Sequence, residues 1–248
     1  MPTMSVAQIS DCHLYEDKSA LHYGANVFDN LQRILDELGK LAHLDAIVFT
    51  GDLTQDHSLG SYQLFNQLII DAKLSCPLYV LAGNHDDEHV MATTLTASTI
   101  NHKKHIERGN WQLLLTRSKS ETPAGFVDSH HLQQLAHVAD RVEHTLLFMH
   151  HHPVDVGYFI DRHGLNNQAD FWQAVEANQS IRAVACGHIH RGQTYQGPKN
   201  VHVYACPATS IQFDPDFDGV KALPKGAGYR QFMLHHDGTI TTTLVYLD

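Results

Sequence analysis

Five stretches of the chain place acids, imidazoles or an amide directly behind an apolar run. Asp11-Cys12-His13 follows residues 4–9, and Gly51-Asp52 follows Ile47-Val48-Phe49. Gly83-Asn84-His85-Asp86 follows residues 77–82, His150-His151-His152-Pro153 follows residues 145–149, and Gly187-His188-Ile189-His190 follows residues 181–186. Each alone has a plainer reading, because Gly, Asp and Asn are ordinary turn residues and an alternating His-x-His suits an exposed strand end. Recurrence behind five such runs in one chain makes them a chemical set. Imidazoles, carboxylates and one amide carbonyl together suit intermediate divalent metals, Mn, Fe, Zn, Co or Ni, better than Mg or Ca, which prefer oxygen alone. In an extended segment residues two apart point the same way, so Asp11/His13 and His188/His190 are expected to act as two pincers. With a bridging Asp52 they can hold two cations side by side.

Such groups need strands that end at a common edge. Val27, Leu31, Ile34, Leu35, Leu38 and Leu41 recur at helical spacing with Asp29, Gln32, Arg33, Asp36 and Glu37 opposite, which predicts an amphipathic helix after the first strand. A second helix is expected over residues 60–71, buried through Leu64, Phe65, Leu68 and Ile69. Strand, helix, strand, helix, strand is a βαβ pattern with parallel strands, whose carboxyl ends form the ligand crevice. Further along, strands are expected at 111–115, 145–149 and 181–186, and helices at 129–139, with Leu132, Leu135 and Val138 buried behind an Asp128 or Ser129 cap, and at 167–178. The end of the chain reads as β-rich, over 193–196, 201–205, 229–235 and 239–246, with a hairpin at His236-Asp237-Gly238. No repeat or linker divides the chain, so one domain over residues 1–248 is expected.

Composition narrows the partners. A formal net charge of −10 and a pI near 6.0 argue against a general nucleic-acid or anionic-membrane binder. No apolar run reaches the ~20 residues of a membrane span and no signal sequence is read, so a cytoplasmic location is expected. Cys12, Cys76, Cys186 and Cys206 form no C-x-x-C and read as reduced core thiols. Of the 21 histidines, His22, His102, His105, His130, His131, His235 and His236 have no motif around them and are expected at the surface. Tyr158, Phe159 and Phe213 read as core or rim aromatics.

Asp-x-His, Gly-Asp-x-x-x-Asp, Gly-Asn-His-Asp, His-His-His-Pro and Gly-His-x-His, in this order, resemble the signature of the calcineurin-like metallophosphoesterases. The residues 9–14, 52–56, Asn110-Trp111-Gln112, His152-Pro153-Val154, 207–213 and Gly228-Tyr229-Arg230 extend the resemblance to the bacterial class III 3′,5′-cyclic AMP phosphodiesterases. Arg191 and Arg117 depart from that subgroup, which usually shows Gln and Asp there. The resemblance implies a four-layer αββα sandwich of two mixed β-sheets flanked by helices. It implies one metal on Asp11, His13, Asp52 and His190, and a second on Asp52, Asn84, His150 and His188, with Asp52 bridging. His150 is preferred to His151 as the residue nearest its strand end. His85 matches the catalytic histidine, and Asn84 and His85 would meet substrate, leaving Asp56 as a loop residue. The implied cofactors are two divalent transition-metal ions, Fe or Mn first, with Zn, Co or Ni as alternatives. The implied reaction is hydrolysis of a 3′,5′-cyclic nucleotide, cyclic AMP first, by hydroxide held between the ions. The alternatives are another phosphodiester, a nucleotide pyrophosphate, a phosphomonoester, or a binding module without catalysis. Homodimers are common in that family.

Overall fold

Strands that are apolar at every position need cover on both faces, and the computed structural model supplies it by stacking two mixed sheets between helices. Residues 2–136 and 143–247 are described. The chain runs β1 (Pro2–Ile9), β2 (Leu21–His22), β3 (Ala25–Asn26), α1 (Val27–Gly39), β4 (Ala46–Phe49), α2 (Leu59–Ala72), β5 (Leu78–Val80) and α3 (Glu88–Thr94). It continues through β6 (Ile100–Asn101), β7 (His105–Arg108), β8 (Trp111–Leu115), α4 (Ser129–Ala136), β9 (His144–Met149), α5 (Gln168–Ala177) and β10 (Ile181–Cys186). The last strands are β11 (Gln193–Gln196), β12 (His202–Ala205), β13 (Gly228–His235) and β14 (Ile240–Tyr246), with 3₁₀ turns at Phe159–His163 and Pro198–Asn200.

One sheet has the order β14-β13-β1-β4-β5-β6 and the other β11-β12-β10-β9-β8-β7. The central strands β1, β4 and β5 are parallel, as are β8, β9, β10 and β12, while β13, β14, β7 and β11 join antiparallel. Period-two alternation then sorts the side chains into layers. Val6, Ala46, Val48, Leu146, Phe148, Ala183, Ala185 and Phe232 fill the space between the sheets. Ile47 and Phe49 face outward onto Leu31, Ile34, Leu35 and Leu38 of α1 and Phe65 of α2. Leu147, Met149 and Val184 face the other way, onto Leu135 of α4 and Phe171 and Val175 of α5. The four layers expected from the resemblance are thus built by the residue alternation itself. Phe49 and Phe148 are wholly buried, and truncating either to Ala costs about 3–5 kcal/mol.

Local chemistry sets most ends. Asn26 caps α1 by accepting from Asp29 N at 3.0 Å, and Asp128 caps α4 by accepting from His131 N at 2.9 Å. The expected α4 residues Val138 and Ala139 lie outside the described residues. The β13–β14 hairpin turns where expected, with Gly238 at φ 85°. The four cysteines are buried and free. Among the described residues no helix is long and apolar enough to cross a membrane.

Candidate metal centre

The parallel strands β1, β4 and β5 of one sheet, and β9 and β10 of the other, bring their carboxyl ends to one crevice. Main-chain bonds tie these ends together: Asp11 N donates to Gly51 O at 2.9 Å, His13 N to Asp52 O at 3.0 Å, and Gly187 N to His150 O at 3.0 Å. The expected extended pincers do not form. Asp11 (φ 57°), His13 (φ 47°), Asp52 (φ 57°), His188 (φ 67°) and His190 (φ 48°) all adopt the left-handed conformation. Each such residue costs on the order of 1–3 kcal/mol and persists where its surroundings fix it, commonly at functional sites. The sharp turns, rather than alternation, aim these side chains into the crevice. They also separate His188 from His190, which join different groups. Gly51 and Gly83 let two of the turns touch, since a Cβ on Gly51 would lie 2.3 Å from Gly83 N and one on Gly83 would lie 2.2 Å from Asp52 Oδ1.

In the first group His13 Nε2 lies 3.0 Å from His190 Nε2 and 3.7 Å from Asp52 Oδ2, while His190 Nε2 lies 3.5 Å from Asp11 Oδ1. In the second, His150 Nε2 lies 3.2 Å from His188 Nδ1, 3.1 Å from Asn84 Oδ1 and 3.4 Å from Asp52 Oδ2. Asp52 therefore faces both groups. Backbone carbonyls fix which nitrogen is free in three of these rings. His150 Nδ1 donates to Thr50 O at 2.7 Å, His188 Nε2 to His163 O at 3.0 Å, and His190 Nδ1 to Ile211 O at 2.9 Å. In neutral His150 and His188 the nitrogens left over are lone-pair acceptors, and they converge with an amide oxygen and a carboxylate. Four acceptors so placed repel one another unless a cation lies among them. Donors about 2.1 Å from an ion sit roughly 3.0–3.4 Å apart at octahedral to tetrahedral angles, and the three spacings from His150 Nε2 fall there. Carbonyls orienting the rings from behind are the usual support of metal-binding histidines.

Of the other two histidines of the triple run, His151 also lies within 4.8 Å of the ligand atoms of His150 and His188, but both its ring nitrogens have other partners. His151 has Nδ1 at 2.9 Å from Ser118 Oγ and Nε2 at 3.1 Å from Pro123 O, holding the segment that carries Lys119. His152 lies 3.3 Å from Asp161. His85 is half-buried, with its main-chain N donating to Asp52 Oδ1 at 2.9 Å and its ring stacked on His57 and edge-on to His13. It borders a cavity of about 290 Å³ lined by His57, Asn84 and residues 119–123, and Lys119 Nζ donates to Asn84 O at 3.0 Å. Asp56 stands off the crevice, accepting from Glu16 N and from the amide and hydroxyl of Ser58.

Burial drives the imidazoles of His13, His151 and His188 well below their ordinary range, so they rest in the neutral form that a metal takes. For His150 burial also opposes charge, but the Asp52 carboxylate outweighs it and raises the ring to about 9. Asp52 is in turn held well below the carboxylate range, against burial, chiefly by His150.

Two residues escape the motif reading. Asp86 is buried, and its carboxylate accepts from Asp52 N, Leu53 N and Gly83 N at 2.8 Å each and from Thr54 N at 3.3 Å, clasping the Asp52 turn to the Asn84 turn. His22, expected at the surface, is buried instead, stacked on His13 at 5.2 Å and 3.2 Å from Tyr15 Oη. The β2–β3 hairpin folds it inward over the centre. The final Asp of Gly-Asn-His-Asp was a visible signal for Asp86, whereas nothing around His22 marked it.

Residues 4–192 match the family model of the calcineurin-like phosphoesterases. A probable cyclic nucleotide phosphodiesterase from Colwellia psychrerythraea is 45% identical over 250 residues, covering 98% of this chain and 95% of the relative. The 3′,5′-cyclic adenosine monophosphate phosphodiesterase CpdA of Escherichia coli strain K12 is 34% identical over 245 residues, covering 96% of this chain and 87% of the relative. Among solved structures, a dimetal phosphatase from Danio rerio superposes with a TM-score of 0.72 at 12% identity, covering all of both chains, a likeness of fold. By sequence, layer order and crevice alike, the chain belongs to the calcineurin-like phosphoesterase family.

Proposed function

We propose that the chain is a one-domain metal-dependent phosphodiesterase that hydrolyses 3′,5′-cyclic nucleotides, cyclic AMP first, to 5′-nucleotides. The observation that carries this reading is the convergence of His150 Nε2, His188 Nδ1, Asn84 Oδ1 and Asp52 Oδ2, two imidazole nitrogens, an amide oxygen and a carboxylate of the types that ligate a divalent ion. The relatives named for cyclic nucleotides and cyclic AMP support the substrate class.

Asp11, His13, Asp52 and His190 are assigned to one ion, and Asp52, Asn84, His150 and His188 to the other. Bound divalent ions, with Fe or Mn the first expectation, supply charge neutralisation for the phosphodiester and a nucleophile at neutral pH. The protein's residues supply the rest. Thr50, His163 and Ile211 hold the histidine rings through their carbonyls, so little reorganisation accompanies substrate arrival. His85 is assigned as the general acid that protonates the departing 3′-oxygen. Its ring is fixed between His57 and His13, and its Nδ1 finds no partner among the described residues. Burial lowers its proton affinity, and the charge of an incoming phosphodiester restores it. Lys119, beside the same cavity, adds a positive charge at the mouth.

A turnover panel on one metal-defined preparation tests the reading: cyclic AMP, cyclic GMP, 2′,3′-cyclic nucleotides, a nucleotide pyrophosphate and simple monoesters. The expected result is the highest kcat/KM for a 3′,5′-cyclic nucleotide. A monoester or pyrophosphate outrunning both cyclic purine nucleotides would overturn it.

A further inference from the structure

The β2–β3 hairpin that folds His22 over the centre turns at Tyr23-Gly24, with His22 paired to Ala25 and Leu21 to Asn26. Tyr23 has φ 47° and Gly24 φ 87°, so both turn residues are left-handed, the two-residue turn that ordinarily takes Asn, Asp or Gly at its first place. A tyrosine there is strained and gains only partial burial in return. Its side chain is 57% exposed, and a Cβ on Gly24 would meet nothing within 4 Å, so the tip stands in open space. Asparagine would make the same turn at lower cost, so the turn itself does not call for an aromatic ring.

What the ring does have is position. Tyr23 packs edge-on against His22 at 4.9 Å between ring centroids, His22 stacks on His13 at 5.2 Å, and His13 meets the edge of His85 at 4.9 Å. The exposed aromatic thus lies two ring contacts out from the first group of the centre. Tyr15 Oη, 3.2 Å from His22 Nδ1, braces the intermediate ring. A cyclic nucleotide with its phosphate in the crevice carries its base one ribose away, outward from the metal ligands. An exposed aromatic ring beside the crevice can serve as a stacking platform, and every base offers a π-face to such a platform.

We infer that Tyr23 is a specificity-determining residue, the surface on which the purine base of the substrate stacks. The inference rests on the cyclic nucleotide phosphodiesterase reading and deepens it. Stacking is tolerant of base identity, so Tyr23 favours nucleotides over simple diesters and discriminates little between adenine and guanine.

The test uses the metal-loaded full chain with Tyr23→Asn and Tyr23→Phe. Two substrates are compared: cyclic AMP, and its base-free analogue methyl ribofuranoside 3′,5′-cyclic phosphate. In Tyr23→Asn the KM for cyclic AMP should rise about five- to a hundredfold, the span of one base–aromatic stack, with kcat nearly unchanged. The KM for the base-free analogue should stay within about twofold, and Tyr23→Phe should match the parent on both substrates. Thermal melting of Tyr23→Asn should equal or exceed the parent's, because asparagine relaxes the turn. An equal KM change on both substrates, or none on cyclic AMP, overturns the platform while leaving the phosphodiesterase reading intact. No turnover of either cyclic phosphate by the parent overturns that reading, and the platform with it.

Discussion

Replacing Asp86 with asparagine changes one atom at the junction of the two ligand turns. The carboxylate accepts four main-chain donors, Asp52 N and Gly83 N on Oδ2, and Leu53 N and Thr54 N on Oδ1. In either amide orientation an NH₂ faces one of these pairs, so two hydrogen bonds to a charged acceptor are lost and two buried donors are left opposite a donor. At about 1.5–3 kcal/mol per charge-assisted bond the loss is roughly 3–6 kcal/mol, a large part of a domain's stability. For a chain of this size that corresponds to about 6–24 °C in Tm. Burial and the nearby Asp52 charge push the Asp86 carboxyl up to about 6, opposed by its N–H donors, so it is ionised at pH 7.5 and the full loss applies there. The displaced donors belong to the Asp52 and Gly83 turns, so metal content should fall with Tm. Scanning calorimetry and metal analysis on parent and Asp86→Asn at pH 7.5 decide it. A variant with parental Tm and parental metal content would mean that the carboxyl is protonated or that the four bonds do not hold the turns, and the reasoning fails.

His85→Ala should keep both ions and lose about 10²–10⁴-fold in kcat, as befits a general acid, and metal analysis showing an ion lost would make His85 a ligand instead. Chelation followed by titration with Mn²⁺ should stabilise the fold by about 2.7 kcal/mol per site at a hundredfold excess over Kd, read as a Tm that rises with metal concentration, and a Tm indifferent to metal would remove the centre. Burial lowers His22 to about 4 from an ordinary 6.5. Between those values the unfolded chain takes up a proton that the folded chain refuses, so stability is lost as pH falls from 6.5 towards 4. Urea titrations of the metal-free protein at pH 7 and 4.5 should show a smaller acid loss in His22→Gln than in the parent, and an equal loss would place His22 in water.

The features legible in the sequence were those with a period or a repeat. Runs such as residues 145–149 and 181–186 announced strands buried on both faces, and Leu31, Ile34, Leu35 and Leu38 announced the helix that covers β4 of the other sheet. The eight residues named from strand ends, Asp11, His13, Asp52, Asn84, His85, His150, His188 and His190, do meet in one crevice. The route by which they meet was illegible, since period-two alternation predicted extended pincers and the chain turns left-handed at Asp11, His13, Asp52, His188 and His190 instead. Short elements carry too few residues for periodicity, so β6, β7 and the seven-residue α3 went unseen. The same shortness hid His22, whose strand has two residues. Backbone carbonyls of Thr50, His163 and Ile211 carry no side-chain signature, and only the folded chain places them behind the imidazoles.

The crevice is also a seam between parts of the chain made at different times. His188 N donates to the Asp11 carboxylate, a partner 177 residues earlier. At roughly 5–20 residues per second, a ribosome takes on the order of 9–35 s to add that stretch. During that interval Asp11, His13, Asp52 and Asn84 exist without the histidines of the second sheet. Neither proposed site can close until His188 and His190 have been added. On the proposed assignment, an ion would be chosen only once both sheets have formed.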